Sequence, residues 1–332
     1  MRIAIDAMGG DHAPQEIVKG VIKAAQTTKS ELVLVGQEEK IKAELSNYDY
    51  DQDKISIEPA SQVIVMDESP TRALRKKKDS SIVVGSNLAA NNEVDAFVSA
   101  GSTGAIMAAG TFNIGRVEGV KRPAIGTVFP ALDGQTLLLD AGANVDSKAE
   151  NLVQQALMGH IYMKEIFAID SPQVGILSIG EEKKKGNKLT KETYELLEEK
   201  TGINFVGNAE GRDIFTGEFD VIVCDGFVGN IVLKVGEGLA ETVFKLLKQE
   251  VENSLLAKLG GLFLKPVLKK VKQKLDYREY GGAPLLGIDG ITIISHGSSN
   301  AKAILNAIEN AEEAAEANLP GLIKADLDEG TD

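Results

Sequence analysis

The chain has 332 residues, 43% hydrophobic and 26% charged, enough for one large α/β domain or two smaller ones with a real core. Such a composition excludes disorder, collagen-like repeats and coiled coil as the main architecture. Its 36 basic and 49 acidic residues leave a net charge of -13, which argues against nucleic acid as principal partner, because duplex binding rests on phosphate neutralisation.

Short apolar runs alternate with longer stretches of helical period, the pattern of a parallel sheet covered by helices on both faces. In chain order it predicts a strand at 3–7, a helix at 16–25, strands at 32–35 and 96–99, and a helix at 105–114. Strands at 124–129 and 136–139, a helix at 148–164, a strand at 174–179 and a helix at 191–200 follow. The series ends with strands at 205–207, 221–224 and 291–295 and a helix at 301–317. The expected fold is a doubly wound, mostly parallel α/β sheet.

The rhythm breaks over 230–280. Val232, Val235, Leu239, Val243, Leu246 and Val251 follow one helical spacing, and Leu264, Val267, Leu268, Val271 and Leu275 follow another, with Pro266 suited to a first turn. Between them, residues 259–264 read as an apolar turn around Gly260 and Gly261. A projecting helical hairpin with a greasy tip is expected. Its flank is basic: within 254–278, Lys258, Lys265, Lys269, Lys270, Lys272, Lys274 and Arg278 stand against Asp276 alone, a net +6 that leaves -19 on the other 307 residues. The expected organisation is therefore an α/β core over 1–229 and 281–320, a hairpin insertion over 230–280, and an acidic, solvated tail over 321–332.

The lone Cys224 forms no intramolecular disulfide, and His12, His160 and His296 lack zinc-type spacing, so a reducing compartment and a site without metal or cofactor are expected. The first residues lack the basic and apolar regions of a signal peptide, and no run reaches the roughly 18 to 20 apolar residues needed to span a bilayer. The expected location is cytoplasmic.

Six polar, glycine-rich loops begin where predicted strands end, at 6–12, 99–104, 140–144, 180–187, 225–230 and 295–299. A single such loop needs no more than turn and capping chemistry. Six suggest a site, because the carboxyl ends of parallel strands share one edge where ligands bind. Glycine permits close backbone approach, and helix N-termini favour anions, so a phosphate or carboxylate ligand is expected. His160, within an amphipathic helix, and Cys224, ending an apolar strand, read as structural. The sequence contains no G-x-S-x-G elbow, P-loop or dinucleotide fingerprint.

These loops, in this order, resemble the PlsX-type phosphate acyltransferases of bacterial phospholipid synthesis. The matching stretches are DAMGGDHAP at 6–14, SAGSTGA at 99–105, LDAGAN at 139–144, GEEKKKGN at 180–187, DVIVCDGFVGN at 220–230, YGGAPLLG at 280–287 and HGSS at 296–299. Ser102 stands where the family usually has Asn, with a shorter side chain. The resemblance implies a fold similar to that of phosphotransacetylases and the isocitrate/isopropylmalate dehydrogenases. It also implies transfer of a long-chain acyl group from acyl-carrier protein to inorganic phosphate.

Phosphate is itself the nucleophile in such a reaction, so no acyl-enzyme is needed; the site must align the anion and stabilise a tetrahedral oxyanion. Gly101, Ser102, Thr103, Gly104, Asn144 and Ser298 are the candidate phosphate cradle. Lys185, in the family's lysine-glycine loop, would neutralise charge, Asn230 would donate to the oxyanion, and Asp225 would orient one of them. Asp11 and His12 would shape the pocket, with His12 a proton donor to the leaving thiolate.

The hairpin offers three uses. Its lysines, including Lys258, Lys265, Lys269 and Lys272, suit an acidic carrier protein or an anionic membrane surface. Leu262, Phe263 and Leu264 suit insertion into a bilayer, where the family's partner, the membrane-embedded acylphosphate:glycerol-3-phosphate acyltransferase, consumes the product. The apolar helix faces suit a homodimer interface. Two rival functions are a short-chain phosphotransacetylase using acyl-CoA and a non-catalytic protein that binds phosphate or an acyl ligand.

Overall fold

A computed structural model describes residues 1–253, 255–275 and 281–329. The strands are β1 (Arg2–Asp6), β2 (Glu31–Gly36), β3 (Ile55–Pro59), β4 (Ala96–Ser99), β5 (Ala124–Pro130) and β6 (Gln135–Leu139). They continue with β7 (Gln173–Leu177), β8 (Asn204–Ala209), β9 (Val221–Val223), β10 (Ala283–Leu286) and β11 (Ile291–Ile294). The first helices are α1 (Gln15–Thr27), α2 (Glu38–Leu45), α3 (Pro70–Lys76), α4 (Ser81–Ala90), α5 (Thr103–Ala109) and α6 (Ala149–Phe167). The rest are α7 (Lys188–Glu198), α8 (Gly226–Glu252), α9 (Leu255–Leu275), α10 (Ala301–Glu316) and α11 (Leu319–Glu329).

Among the described residues, eleven strands join one sheet in the order β3-β2-β1-β4-β11-β10-β5-β6-β9-β7-β8. Alternating side chains divide between its two faces. Ile3, Ile5, Leu32 and Leu34 point into a core completed by α1, α6 and α10, through Ile17, Val21, Leu152, Tyr162, Ile304 and Ile308. Ala4, Val33, Val35 and Phe97 point the other way, against Ile82 of α4 and Ala105 and Ile106 of α5. The sheet is thus wound on both faces, as expected.

The sheet is also mostly parallel, as expected, with antiparallel pairings confined to its middle. β10 is antiparallel to both β11 and β5, and β5 is antiparallel to β6. Three successive reversals leave β3-β2-β1-β4-β11 and β6-β9-β7-β8 as two parallel groups that point in opposite directions. The six glycine-rich loops therefore do not share one edge: those at 6–12, 99–104 and 295–299 lie at one end, and those at 140–144, 180–187 and 225–230 at the other.

β3 and β10 were not among the expected strands. β3 alternates apolar with polar residues and lies at the sheet edge, so it carries no continuous apolar run. β10 contains Pro284, which demotes a strand in sequence because it donates no ladder bond, yet Pro284 faces Ile293 within the sheet.

The helical insertion is also built differently at its tip. The expected turn at 259–264 lies inside α9, and Pro266 is interior to that helix rather than in its first turn. A glycine pair disfavours helix in isolation, but tertiary contact overrides this: a Cβ on Gly261 would lie 2.9 Å from Val251 Cγ1, so glycine lets α9 approach α8. Lys274 at the end of α9 donates to the Leu132 carbonyl at 3.3 Å, anchoring the hairpin to the sheet. The acidic C-terminal segment is not a solvated tail through Glu329: α11 buries Leu319 and Ile323, and Lys324 pairs with Glu118 at 2.8 Å. Among the described residues, no helix is long and apolar enough to cross a membrane.

Candidate active site

The two ends of the sheet meet at β10 and β5. Ala283 pairs with Ile294 and Leu285 with Ile125, so two residues along β10, about 7 Å at the strand rise, separate the end of β11 from the start of β5. A cavity of about 340 Å³ opens over this stretch, within the roughly 300–1,000 Å³ range of small-molecule pockets. Thr103, Gly104 and Met107 of α5 form one wall. Asn230, Leu233, Lys234 and Glu237 form the other, at the i, i+3, i+4, i+7 spacing of a single face of α8. Ile125, Thr127 and Val128 of β5 make the floor, with Ala141 and Gly142 at one end and Ser295 and His296 at the other.

Buried carboxylates hold the loops in place. Asp140 Oδ1 accepts from the backbone N–H groups of Ile125, Gly142 and Ala143 at 3.2, 3.0 and 2.8 Å, and Oδ2 from Asn144 N at 2.7 Å. Burial pushes this carboxyl above its ordinary range, and the hydrogen bonds oppose that rise. Asp6 plays the matching part at the other end, accepting from Met8 N at 3.0 Å and Ser99 Oγ at 2.7 Å, also raised by burial. Asp225 caps α8 by accepting from Phe227 N at 2.9 Å, while its second oxygen takes the Ser147 N–H at 2.8 Å. Gly229 makes the close contact between α8 and the β6 loop possible: a Cβ there would sit 1.9 Å from the Asp140 carbonyl oxygen.

The polar groups facing the cavity differ in kind. Lys234 Nζ lies 2.8 Å from Glu237 Oε2. The Ser298 backbone N–H donates to His296 Nδ1 at 3.1 Å. Ser295 also lines the cavity, but its hydroxyl is buried within the protein and presents no donor to it. At the N-terminus of α5 the first N–H groups have no intrahelical acceptor, and Ser102 supplies no side-chain cap. Hydroxyl, amide and ammonium donors thus surround an apolar floor.

The profile of the family described as "Fatty acid synthesis protein" matches residues 1–321. The chain is 56% identical to the phosphate acyltransferase of Halothermothrix orenii, over 98% of this chain and 98% of that protein. It is 54% identical to the phosphate acyltransferase of Pelotomaculum thermopropionicum, over 99% and 95%. The chain belongs to the phosphate acyltransferase family. Like its relatives, it is an acyltransferase. A phosphotransacetylase from Streptococcus pyogenes shares the fold at a TM-score of 0.63 and 18% identity, covering 96% of this chain and 94% of that one.

Against the needs of a phosphate acyltransferase, the expected site residues divide. Thr103, Gly104 and Asn230 line the cavity. Gly101 and Ser102 are buried beneath the start of α5. Asn144 is a clamp, donating from Nδ2 to the Pro123 carbonyl at 2.7 Å and to Asp140 Oδ2 at 2.8 Å. Ser298 supports His296 rather than facing the cavity, and the Asp225 carboxylate is engaged in capping α8. Asp11 and His12 are exposed outside the cavity lining, with Asp11 N donating to the Gly297 carbonyl at 2.8 Å.

Lys185 also lies outside the cavity. Its loop follows β7, which β9 separates from β6, and its Cγ lies 3.0 Å from a Cβ position on Gly180. Cys224 is buried, and desolvation pushes its thiol far up, with the Asp140 and Asp225 charges adding to the shift, so it is no nucleophile. Of the hairpin residues, Lys258, Phe263, Leu264, Lys265 and Lys269 are exposed, whereas the side chains of Leu262 and Lys272 lie outside the described residues.

Sequence reasoning missed Thr127, Lys234, Glu237 and Ser295. The first lies within an apolar strand and Ser295 at a strand end, where nothing local marks the side chain's direction. Lys234 and Glu237 carried a usable signal, because their spacing from Asn230 places all three on one helical face.

Proposed function

We propose that this chain transfers a long-chain acyl group from acyl-carrier protein to inorganic phosphate, forming acyl phosphate for phospholipid synthesis. The observation that carries the reading is the cavity: an apolar lining of Ile125, Val128 and Leu233 continues into hydroxyl, amide and ammonium donors at Thr103, Asn230 and Lys234. The apolar lining suits an acyl chain and the donors suit an anion. A phosphate oxygen attacks the thioester carbonyl carbon, forming a C–O bond and a tetrahedral oxyanion. The oxyanion collapses, the C–S bond breaks, and the carrier thiolate leaves and takes up a proton. Asn230 donates to the oxyanion, and the Thr103 and Gly104 N–H groups hold phosphate oxygens within about 3 to 3.5 Å of the carbonyl.

The insertion supports the macromolecular side of this reading. Lys258, Lys265 and Lys269 are exposed on α9 beside Phe263 and Leu264, a basic and apolar surface fitted to acidic carrier protein and to an anionic membrane where the product is consumed. An exposed apolar row on α8, Ile231, Val235 and Leu239, fits a homodimer interface. The protein is accordingly read as cytoplasmic and peripherally membrane-associated.

The shared phosphotransacetylase fold favours one rival, a short-chain enzyme using acyl-CoA. Assaying purified protein with palmitoyl carrier protein and phosphate, without added metal, decides between them. Phosphate-dependent release of free carrier protein is expected, and Asn230→Ala should slow turnover by about 10². Activity confined to acetyl-CoA would establish the rival, and ligand binding without turnover would establish a non-catalytic role.

A further inference from the structure

We propose that Lys234 is the residue that neutralises the phosphate acceptor, with Glu237 fixing where its ammonium sits. The inference rests on phosphate being the acceptor, and it assigns the charge to α8 rather than to the lysine-rich loop after β7. Among the described residues lining the cavity, Lys234 is the one with a permanent positive charge. Its ammonium carries three N–H donors, and the Glu237 contact at 2.8 Å engages one. Both residues occupy the α8 face that also presents Asn230, so the cation stands one helical turn from the oxyanion donor.

Thr103 lines the opposite wall of the cavity and adds a hydroxyl donor. Phosphate supplies acceptor oxygens for both groups, whereas the acyl chain satisfies neither.

Steady-state rates with palmitoyl carrier protein at varied inorganic phosphate, measured for wild type, Lys234→Met, Lys234→Arg and Glu237→Gln, test this. Lys234→Met is expected to raise the KM for phosphate about tenfold to a hundredfold and leave the KM for the acyl donor unchanged. Lys234→Arg should restore most of the phosphate affinity. Glu237→Gln keeps an oxygen acceptor but removes the competing negative charge, and should lower the phosphate KM; an unchanged or raised value overturns its role. The Lys234 side chain is 54% exposed, so truncation should leave thermal unfolding intact. A wild-type phosphate KM in folded Lys234→Met overturns the proposal while leaving the acyltransferase reading standing. Should wild type form no acyl phosphate, that reading fails instead, and phosphorus NMR line broadening of inorganic phosphate still tests the site. Equal broadening by wild type and Lys234→Met, or none by either, overturns it.

Discussion

Asp140 is fully buried, and its carboxylate gathers the N–H groups of Ile125, Gly142, Ala143 and Asn144 around itself. Asp140→Ala would leave these donors without an acceptor, and urea unfolding at neutral pH should show a loss above about 4 kcal/mol, the range of a broken buried network. A loss under about 1 kcal/mol would show that water replaces the carboxylate. The motifs drew attention to the loops that hold Asp140, Asn144 and Asp225 but did not reveal what these side chains bind. Asn144 and Asp225 read as ligand-facing or orienting groups because turn-forming and ligand-binding residues are the same types in loops. Which of them faces the cavity depends on hydrogen bonds to distant residues, such as Asn144 to Pro123 and Asp225 to Ser147.

Among the elements, α8 carries two roles on two faces. Asn230, Leu233, Lys234 and Glu237 face the cavity, while Ile231, Val235 and Leu239 are 47%, 61% and 63% exposed. Helical periodicity was legible, but it does not say which stripe meets the sheet, and the sequence reading assigned the whole of 230–280 to a projecting hairpin. The first turns of α8 also form a wall of the cavity. Further out, Phe263 and Leu264 of α9 are 85% and 54% exposed among lysines. Liposome flotation on anionic vesicles tests their proposed insertion: Phe263→Glu/Leu264→Glu should abolish co-flotation seen with wild type. Equal flotation of the two proteins would assign membrane contact elsewhere.

At the scale of the whole molecule, charge is divided unevenly. The segment 254–278 carries +6 and the rest of the chain -19, so the proposed docking of carrier protein at α9 should respond to salt even though the proteins repel overall. Screening lengths fall from about 10 Å at 0.1 M to about 3 Å at 1 M salt. The KM for acyl-carrier protein should therefore rise steeply over that range, with little change in turnover at saturating donor. A salt-independent KM would move docking away from the basic helix.

The sequence by itself determined the α/β class, nine of the strands, the family and six glycine-rich loops, four of which line the cavity. These are local properties: side-chain period within a segment, glycine at strand ends, and short motifs read in order. Tertiary structure alone decided how the loops meet. β10, at 283–286, enters the sheet between β11 and β5 and forces three antiparallel pairings, so loops expected on one edge lie on two, and four of the six converge across a short stretch of strand. No local pattern encodes that pairing, because strand direction depends on partners far away in the chain. It is this reversal that places Lys234 and Ser295 in the cavity and Lys185 outside it.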